Sequence, residues 1–378
     1  MIPPDALAEF RRRFGRDPEI AVRAPGRVNL IGEHTDYNGG FVFPCAIDRE
    51  VVVLAASSDS GSTFVSRELG RSEFRITEAD VNRPAGWARY GAGMAVMLED
   101  RGIPRRDIVA CVQSDIPMGS GVSSSAALEM AFGLVYKGLA GVEIPAAEMA
   151  RIAQRAENRF VGVNCGIMDQ MASACGREGQ AMFLDTRDLS IVYAPIPAHV
   201  EIVLLDTKKP RALTDSAYNE RRSQCETACA VLGVRELRDS DLPTLVANQT
   251  EMDPTVFRRA RHVVSENERA RDFYRSLQLG DLDRAGKLMR ASHASLRDDY
   301  EVSCHELDAM AEAAQNAGAI GARMTGAGFG GCCVALVDRE HVAIFEREVL
   351  LGYRRKTDRQ GEAIRLKAVN GASIFGLE

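Results

Sequence analysis

A short polar run near the amino terminus concentrates side chains that suit the binding of hydroxyl groups. In RAPGRVNLIGEHTDYNGG, Glu33, His34 and Asp36 follow Arg27 between two apolar stretches. Carboxylates and imidazole are good hydrogen-bond partners for sugar hydroxyls. A surface loop could carry the same residues without any function. A metal site on Glu33, His34 and Asp36 is a weaker alternative, because adjacent residues of an extended segment point to opposite faces.

A loop rich in glycine and serine separates a predicted strand from a predicted helix. The sequence SDIPMGSGVSSSAALEMAF follows the strand pattern IVACVQS and leads into an apolar helix over residues 123–138. Backbone amides at a helix N-terminus attract anions, and glycine lets the chain approach a polyphosphate. The candidate phosphate-binding residues are Gly119, Ser120, Gly121, Ser123, Ser124 and Ser125. The loop lacks the lysine of a Walker A motif, and a serine turn that caps a core helix is an equal alternative.

Two further motifs are ambiguous when they are taken alone. Residues 326–331 read GAGFGG, which matches the dinucleotide fingerprint GxGxxG. That fingerprint must follow a strand and open a helix, whereas the sequence here predicts a helix before it and the strand CCVALV after it. We therefore reject a dinucleotide site. Asp169, in NCGIMDQMASACG, is an isolated acid whose local pattern indicates a turn or a helix cap.

The surrounding elements indicate an α+β protein. Strands are predicted for EIAVRAP and FVFPCAIDREVVVLAAS with a polar loop between them, and helices for residues 87–100, 144–159 and most of 254–318. Strand-rich and helix-rich stretches alternate without a regular βαβ pattern. Pro195, Pro197 and the new strand EIVLLDT indicate a boundary near residue 190. We expect domains at 1–190 and 191–378.

The bulk composition excludes several classes of function. The 378 residues carry a net charge of −6, which gives no attraction to nucleic acid or anionic membranes. No apolar run approaches the ~18 residues of a membrane helix, and the N-terminal residues lack the apolar segment of a secretory signal. The nine cysteines include no CxxC pair, which is typical of reduced thiols. We expect a cytoplasmic protein with neither nucleic acid nor membrane as a partner.

Six blocks, in order along nearly the whole chain, resemble the galactokinase family of the GHMP kinase superfamily. They are GRVNLIGEHTDYNGG, IPMGSGVSSSAALE, AENRFVGVNCGIMDQ, SAYNERRSQCE, SHASLRDDYEVSCHELD and RMTGAGFGGCCVAL. The first is specific to galactokinases and their nearest sugar-kinase relatives, whereas the second is shared across the superfamily. The resemblance implies a two-domain GHMP kinase fold with the active site in the cleft between the domains. We expect a monomer.

The resemblance also implies a reaction, in which ATP with Mg²⁺ donates its γ-phosphoryl group to the anomeric hydroxyl of α-D-galactose. Asp169 would face that hydroxyl, and Arg27 would lie beside Asp169 and the transferred phosphate. A neighbouring cation keeps an aspartate ionised. Asp169 would then act as a general base or only orient the hydroxyl, and both roles stay open.

The remaining implied roles follow the same motifs. The sugar-binding residues would be Glu33, His34, Asp36, Gly166 and Tyr218. Glu157 would hold magnesium together with Ser124 or Ser125. Trp87 and Tyr90 match a WxxY pair near the family's adenine pocket, and core packing is the alternative for both.

Two other functions compete with a galactokinase. The first is a kinase for a related sugar, such as arabinose or N-acetylgalactosamine, since a single substituent changes specificity by only ~1–3 kcal/mol. The second is a catalytically silent sensor of sugar and ATP. A sensor should show damage at Asp169, Arg27 or the serine run, and all three are intact.

Overall fold

The computed structural model of the chain describes residues 4–78, 80, 84–117, 119–210 and 214–377, except for the side chains of residues 4 and 214–216. The strands are β1 (Ile20–Asn29), β2 (Phe41–Val42), β3 (Pro44–Ser57), β4 (Ser62–Ser66), β5 (Gly70–Phe74), β6 (Ile108–Ser114), β7 (Gln180–Asp185), β8 (Ile191–Pro195), β9 (Val200–Asp206), β10 (Gly321–Thr325), β11 (Cys332–Asp338), β12 (Glu362–Leu366) and β13 (Ser373–Phe375). The helices are α1 (Pro4–Phe14), α2 (Ala88–Leu98), α3 (Ser124–Ala140), α4 (Ala146–Ala156), α5 (Met168–Cys175), α6 (Thr214–Leu232), α7 (Leu242–Ala247), α8 (Pro254–Leu279), α9 (Leu282–Asp298), α10 (His305–Asn316) and α11 (Val342–Thr357).

Three sheets organise the described residues. The largest has the order β13-β1-β3-β6-β4-β5, and only β4 and β6 pair in parallel. A four-stranded sheet has the order β10-β11-β9-β12, and a small sheet joins β2, β7 and β8. The α+β class is confirmed. The strand β13 returns from the C-terminal end to pair with β1, while the four-stranded sheet draws only on residues 200–366. A domain boundary near residue 190 stays a prediction.

Apolar side chains on one face of the large sheet explain why it packs against helices. Alternate residues of β3, such as Val51 and Val53, are buried together with residues of β1 and α3 such as Val22 and Phe132. The intervening residues Leu54 and Ala56 are also buried, on the opposite face, where they pack with Phe10 of α1. The strand β3 is therefore covered on both faces. The helix α3 is buried along most of its length, and it therefore fixes the loop that precedes it against the sheet.

The first strand is longer than the sequence predicts. We expected it to end near Pro25 and to leave Arg27 in a polar loop, but β1 continues to Asn29 through a register shift between Pro25 and Arg27. Gly26 lies at this bulge, where a Cβ atom would come within 2.6 Å of the Val122 carbonyl oxygen. The absence of a side chain at Gly26 lets the strand pass close to the glycine- and serine-rich loop.

Two other local predictions are wrong. The run from Glu33 to Asp36 is not extended, since His34 adopts a φ of 61° and a 3₁₀ turn, Asp36–Asn38, follows. The element directly before Gly326 is the strand β10 and not a helix, and β10 pairs with β11 in an antiparallel hairpin. A dinucleotide fingerprint still does not fit, because the glycine run leads into a strand.

Candidate active site

A cavity of about 270 Å³ lies where the polar N-terminal run, the glycine- and serine-rich loop, the start of α5 and the turn after β10 meet. Its lining consists of Arg27, Glu33, His34, Asp36, Tyr90, Gly119, Gly121, Ser123, Ser124, Ser125, Glu157, Val163, Cys165, Gly166, Met168, Asp169, Tyr218, Gly326 and Ala327. All the predicted site residues lie there except Ser120 and Trp87. Segments far apart in the sequence therefore share one cavity.

Arg27 and Asp169 form an ion pair at the centre of the cavity. The Arg27 guanidinium donates from Nε to Oδ1 and from Nη2 to Oδ2 of Asp169, each at 2.8 Å. Arg27 is buried, while Asp169, in the first turn of α5, keeps 30% of its side chain exposed. The Ser123 hydroxyl also donates to Oδ2 of Asp169. The carboxylate is thus held firmly and still reaches the cavity.

The same arginine is tied to the glycine- and serine-rich loop. Arg27 Nη1 donates to the Gly121 carbonyl at 2.6 Å, and the Arg27 amide donates to the Val122 carbonyl at 3.1 Å. Gly119, Gly121 and Ser123 all have positive φ values, of 71°, 82° and 65°. The hydrogen bonds from Arg27 and the three positive φ values fold the loop back, so that α3 begins next to the Arg27–Asp169 ion pair.

The N-terminus of α3 has the properties of an anion site. Ser123, which directly precedes the helix, makes no side-chain hydrogen bond to its first turn, and amides at a helix N-terminus are suited to bind an anion. Ser124 and Ser125 line the cavity there, whereas the buried Ser120 donates its hydroxyl to the Pro117 carbonyl at 2.6 Å. Met118, within the predicted loop, lies outside the described residues. The geometry suits a polyphosphate.

Glu157 presents a buried carboxylate to the cavity. The helix α4 runs into a π-helical turn, Glu157–Val161, a local distortion that is common at functional sites. Oε2 of Glu157 accepts from Gln170 Nε2 at 2.6 Å and from the Cys165 thiol at 3.2 Å. Burial raises the pKa of Glu157 to about 7, although hydrogen bonds from Cys165 and Ser125 oppose the increase.

Asp36 and Gly166 meet in the cavity wall next to the start of α5. Asp36 accepts from the backbone amides of Met168 at 3.3 Å and Tyr37 at 3.1 Å. Burial raises the pKa of Asp36 to about 7, and the charge of Asp169 adds to the increase. A Cβ atom on Gly166 would lie 1.9 Å from Oδ2 of Asp36. Gly166 is therefore needed to make room for this carboxyl group.

His34 is neutral and both of its ring nitrogens are engaged. Burial lowers the pKa of His34 to about 3. Nε2 lies 3.1 Å from the Ala327 carbonyl oxygen, which cannot donate, so Nε2 carries the hydrogen. Nδ1 then accepts from the Tyr37 hydroxyl at 2.8 Å. The Tyr218 ring packs at 5.6 Å from the His34 ring. A sugar hydroxyl would share these groups with their protein partners.

Glu33 connects the cavity to the four-stranded sheet. Its Oε1 accepts from the Gly326 amide at 2.6 Å, and its Oε2 accepts from Asn29 Nδ2 at 2.8 Å. Arg323, a buried residue of β10, forms an ion pair with Oε2 at 2.8 Å. The carboxylate is thus already surrounded by donors in the protein itself.

The two aromatic candidates for an adenine pocket separate in the structure. Tyr90 lines the cavity. Trp87 is half-buried outside the lining and packs against Phe64, with ring centroids 6.2 Å apart. The sequence patterns did not predict five of the cavity residues: Val163, Cys165, Met168, Gly326 and Ala327. The last two belong to the glycine run GAGFGG, which matches a dinucleotide fingerprint in sequence alone.

Two features are absent from the described residues. No helix among them is both long and apolar enough to cross a membrane. No group of three or more His, Cys, Asp or Glu side chains within them has an arrangement that could hold a metal ion.

Models of known protein families match most of the regions described above. The GHMP kinase N-terminal domain matches residues 90–177 and the GHMP kinase C-terminal region matches residues 273–353. A mevalonate kinase from Methanococcus jannaschii shares the fold with a TM-score of 0.68 at 17% identity, over 93% of this chain and 98% of the other. Fold and site together define a GHMP-type kinase.

The family within that class follows from closer similarities. The galactokinase galactose-binding signature matches residues 8–57. A galactokinase of Roseiflexus sp. (strain RS-1) is 43% identical over 96% of this chain and 94% of its own, and one of Chloroflexus aurantiacus is 42% identical over 97% and 96%. The Lactococcus lactis galactokinase complexed with galactose superposes with a TM-score of 0.93 at 38% identity, over 98% of both chains. The chain belongs to the galactokinase family and is an ATP-dependent sugar kinase.

Proposed function

We propose that the chain transfers the γ-phosphoryl group of ATP to the anomeric hydroxyl of α-D-galactose, giving galactose 1-phosphate and ADP. The observation that carries this proposal is the Arg27–Asp169 ion pair, which lies between the anion-binding start of α3 and the hydroxyl-binding groups around Asp36. Such a junction would bring a phosphoryl donor and a sugar acceptor together. The Lactococcus lactis relative, which holds galactose in its crystal structure, supports the choice of sugar.

Asp169 and Arg27 divide the chemistry between them. Phosphoryl transfer depends mainly on positioning and on stabilising charge at the phosphoryl oxygens. Asp169, fixed by three donors, keeps a lone pair for the anomeric hydroxyl and receives its proton as the oxygen attacks. Arg27 remains beside the carboxylate and faces the negative charge that builds up on the transferred group.

The loop residues bind the nucleotide. The first amides of α3 and the backbone of Gly119 and Gly121 accommodate the phosphates, because both glycines lack a side chain and adopt positive φ values. Ser123, Ser124 and Ser125 add hydroxyl donors. Tyr90 lines the cavity and would contact the nucleotide. Trp87 lies outside the cavity and packs against Phe64, directly before the start of α2.

The oxygen atoms of Glu157 and its neighbours are suitable ligands for a magnesium ion. Mg²⁺ prefers oxygen ligands and is often held by one or two carboxylates together with substrate phosphates. The Glu157 carboxylate and the Ser125 hydroxyl, which already hydrogen-bond to each other, face the cavity and supply such oxygens. We therefore prefer Ser125 to Ser124 as the magnesium-binding serine. When bound, Mg²⁺ would offset the negative charge of the β- and γ-phosphates.

The sugar would be recognised by the groups on the far side of the cavity. Asp36 and His34 present oxygen and nitrogen atoms to its hydroxyls, and Gly166 leaves room beside Asp36. Tyr218 forms part of the wall, and Glu33 supports the rim through Gly326. Hydrogen-bonding sites of this kind discriminate strongly among hydroxyl patterns, since an unpaired buried group is costly.

We also propose that the enzyme is a cytoplasmic monomer. ATP is abundant in the cytoplasm, thiols stay reduced there, and no disulfide links any of the nine cysteines, all of which lie within the described residues. Light scattering during size-exclusion chromatography should give the mass of a single chain. A dimer mass at micromolar concentration would contradict the monomer.

A coupled assay of ADP release over a panel of sugars tests the proposed reaction. We expect kcat/KM for galactose to exceed that for arabinose and N-acetylgalactosamine by about 10- to 200-fold. No turnover with galactose would overturn the proposal, and a higher kcat/KM with another sugar would replace the acceptor. Trace amounts of nucleotide-hydrolysing contaminants are controlled by omitting the sugar.

A further inference from the structure

Glu129 is a buried acid about one helical turn away from Ser125, which we propose as a magnesium ligand. It has no part in the mechanism described above. It lies on α3 four residues after Ser125, so both side chains project from the same face of the helix. The Glu129 side chain is completely buried. A carboxyl group in such a position is costly unless its oxygens are paired, and its partners therefore carry information about its role.

Gln170 connects this acid to the site. Gln170 is also completely buried and follows Asp169 in the first turn of α5. Its Nε2 donates to Oε2 of Glu157 at 2.6 Å and to Oε2 of Glu129 at 3.2 Å. One amide group thus bridges two acidic side chains that come from the π-helical turn and from α3.

The unpaired atoms of the bridge indicate how it is completed. Within the described residues, Oε1 of Glu129 and Oε1 of Gln170 are buried without a hydrogen-bond partner. A carboxyl group and a carboxamide that share one hydrogen bond can close a second one between their remaining oxygens if the carboxyl group carries a hydrogen. A hydrogen on Glu129 would therefore satisfy both orphaned atoms at once.

Such a pair would also fix the direction of the Gln170 amide. If the amide were reversed, its oxygen would face the Glu157 carboxylate, and two acceptors would meet. The acid form of Glu129 favours the observed direction, because it needs the Gln170 oxygen on its own side. The Cys165 thiol, at 3.2 Å from Glu157, is a weaker donor and cannot impose this order.

We propose that Glu129 is a positioning residue for the kinase reaction: as a carboxylic acid it orients the Gln170 amide, and that amide holds Glu157 toward Ser125 and the nucleotide phosphates. This inference rests on the proposed role of Glu157 in binding Mg²⁺. Glu129 itself touches neither substrate. Groups that orient a metal ligand typically change metal affinity or activity about 10- to 100-fold when they are removed.

The test compares Glu129→Gln with Glu129→Met. Glutamine can offer both a donor and an acceptor to Gln170, so E129Q should behave like the wild type. Methionine has a similar size but no hydrogen bonds, so E129M should bind a non-hydrolysable ATP analogue about tenfold more weakly by calorimetry when Mg²⁺ is present. Without Mg²⁺ the analogue should bind equally to all variants, and KM for galactose should not change.

A second substitution guards against a variant that fails to fold. Gln170→Met removes the bridge from the other end and should reproduce the loss of Mg²⁺-dependent nucleotide affinity. The double variant E129M/Q170M should be no worse than either single variant, since both break one unit. If E129M does not fold, E129Q alone still tests the proposal. The E129Q variant should be defective only if a charged carboxylate is required at position 129.

Several results would overturn the inference. They are a normal Mg²⁺-dependent affinity in E129M or Q170M, an E129Q variant as impaired as E129M, and fully additive effects in the double variant. A wild type that binds the analogue equally with and without Mg²⁺ would instead remove the proposed role of Glu157. The two failures are therefore distinguishable.

Discussion

At the scale of single residues, the site depends on how Asp169 is held. Arg27 occupies both carboxylate oxygens and Ser123 adds a third donor. A carboxylate offers about four lone-pair positions, so one remains for a substrate hydroxyl. The bulge at Gly26 and the positive φ of Ser123 bring these donors together. The local backbone irregularities therefore position the carboxylate that we propose to be catalytic.

Replacing Asp169 with Asn separates the two roles that a carboxylate can have here. The amide oxygen can still orient a hydroxyl, but it cannot take the proton. We expect D169N to lower kcat by about 10²- to 10⁴-fold, while the affinity for an ATP analogue stays unchanged. Steady-state assays and calorimetry measure both quantities. Asp298→Asn, at an exposed surface ion pair, is the matched control, and retained turnover in D169N would exclude a general base.

Asp36 should make the stability of the protein depend on pH. Its pKa rises from an ordinary 3.8 to about 7 in the folded protein, so the folded state binds a proton more tightly than the unfolded state. The free energy of unfolding should therefore fall as pH rises from about 4 to 7. The slope from this one group is at most about 1 kcal/mol per pH unit, since Asp36 keeps some contact with solvent.

Urea unfolding at a series of pH values measures this slope. Asp36→Asn removes the titrating group, so the unfolding free energy of D36N should depend less steeply on pH. Asp17→Asn, an exposed position, should leave the slope as it is in the wild type. Equal slopes in D36N and the wild type would show that Asp36 ionises normally.

At the scale of elements, the loop before α3 works through its backbone conformation. Gly121 has a φ of 82° and its carbonyl accepts from Arg27. Alanine in this conformation costs about 1–2 kcal/mol, and relief of that strain would move the loop. We expect G121A to raise KM for ATP about tenfold, because one helix-terminus interaction with a phosphate and part of the cradle are lost.

Gly102 provides a control for backbone strain alone. It has a φ of 73°, ends a 3₁₀ turn away from the cavity, and a Cβ atom there would meet nothing within 4 Å. G102A should lower the thermal stability about as much as G121A does, without any change in KM for ATP. An unchanged KM in G121A would mean that the loop does not bind the nucleotide.

The elements also show what the sequence can and cannot predict. The apolar helix after the serine run and the strands on either side of the polar run follow from local patterns, and they agree with the structure. The continuation of β1 through Arg27 does not, because a bulge interrupts the alternation. The sequence does not predict the strand β10, because Arg323 places a charge in the middle of this buried segment. The partner of that charge, Glu33, lies almost the whole chain away. Contacts such as His34 with Ala327, 293 residues apart, leave no local signal.

At the scale of the whole molecule, Glu33 joins the N-terminal part of the cavity to the four-stranded sheet. Its carboxylate contacts the Gly326 amide and the fully buried Arg323. Removing one partner of a buried ion pair leaves the other charge without compensation. The tie between the two sheets should therefore contribute much more to stability than an ion pair on the surface.

The comparison of Glu33→Ala with Glu201→Ala measures that difference. E33A should lower the free energy of unfolding by about 3–5 kcal/mol. E201A breaks a pair with Arg339, which is 59% exposed, and should cost less than about 1 kcal/mol. Urea denaturation at neutral pH gives both values. Similar losses in the two variants would contradict a structural tie through Glu33.

The central claim is that this site phosphorylates the anomeric hydroxyl of galactose. The most direct measurement is phosphorus–proton correlation by NMR on the product formed from galactose, ATP and Mg²⁺. We expect a single sugar phosphate whose phosphorus couples to the anomeric proton. A phosphorus signal coupled instead to the protons at carbon 6, or to any other ring position, would contradict it.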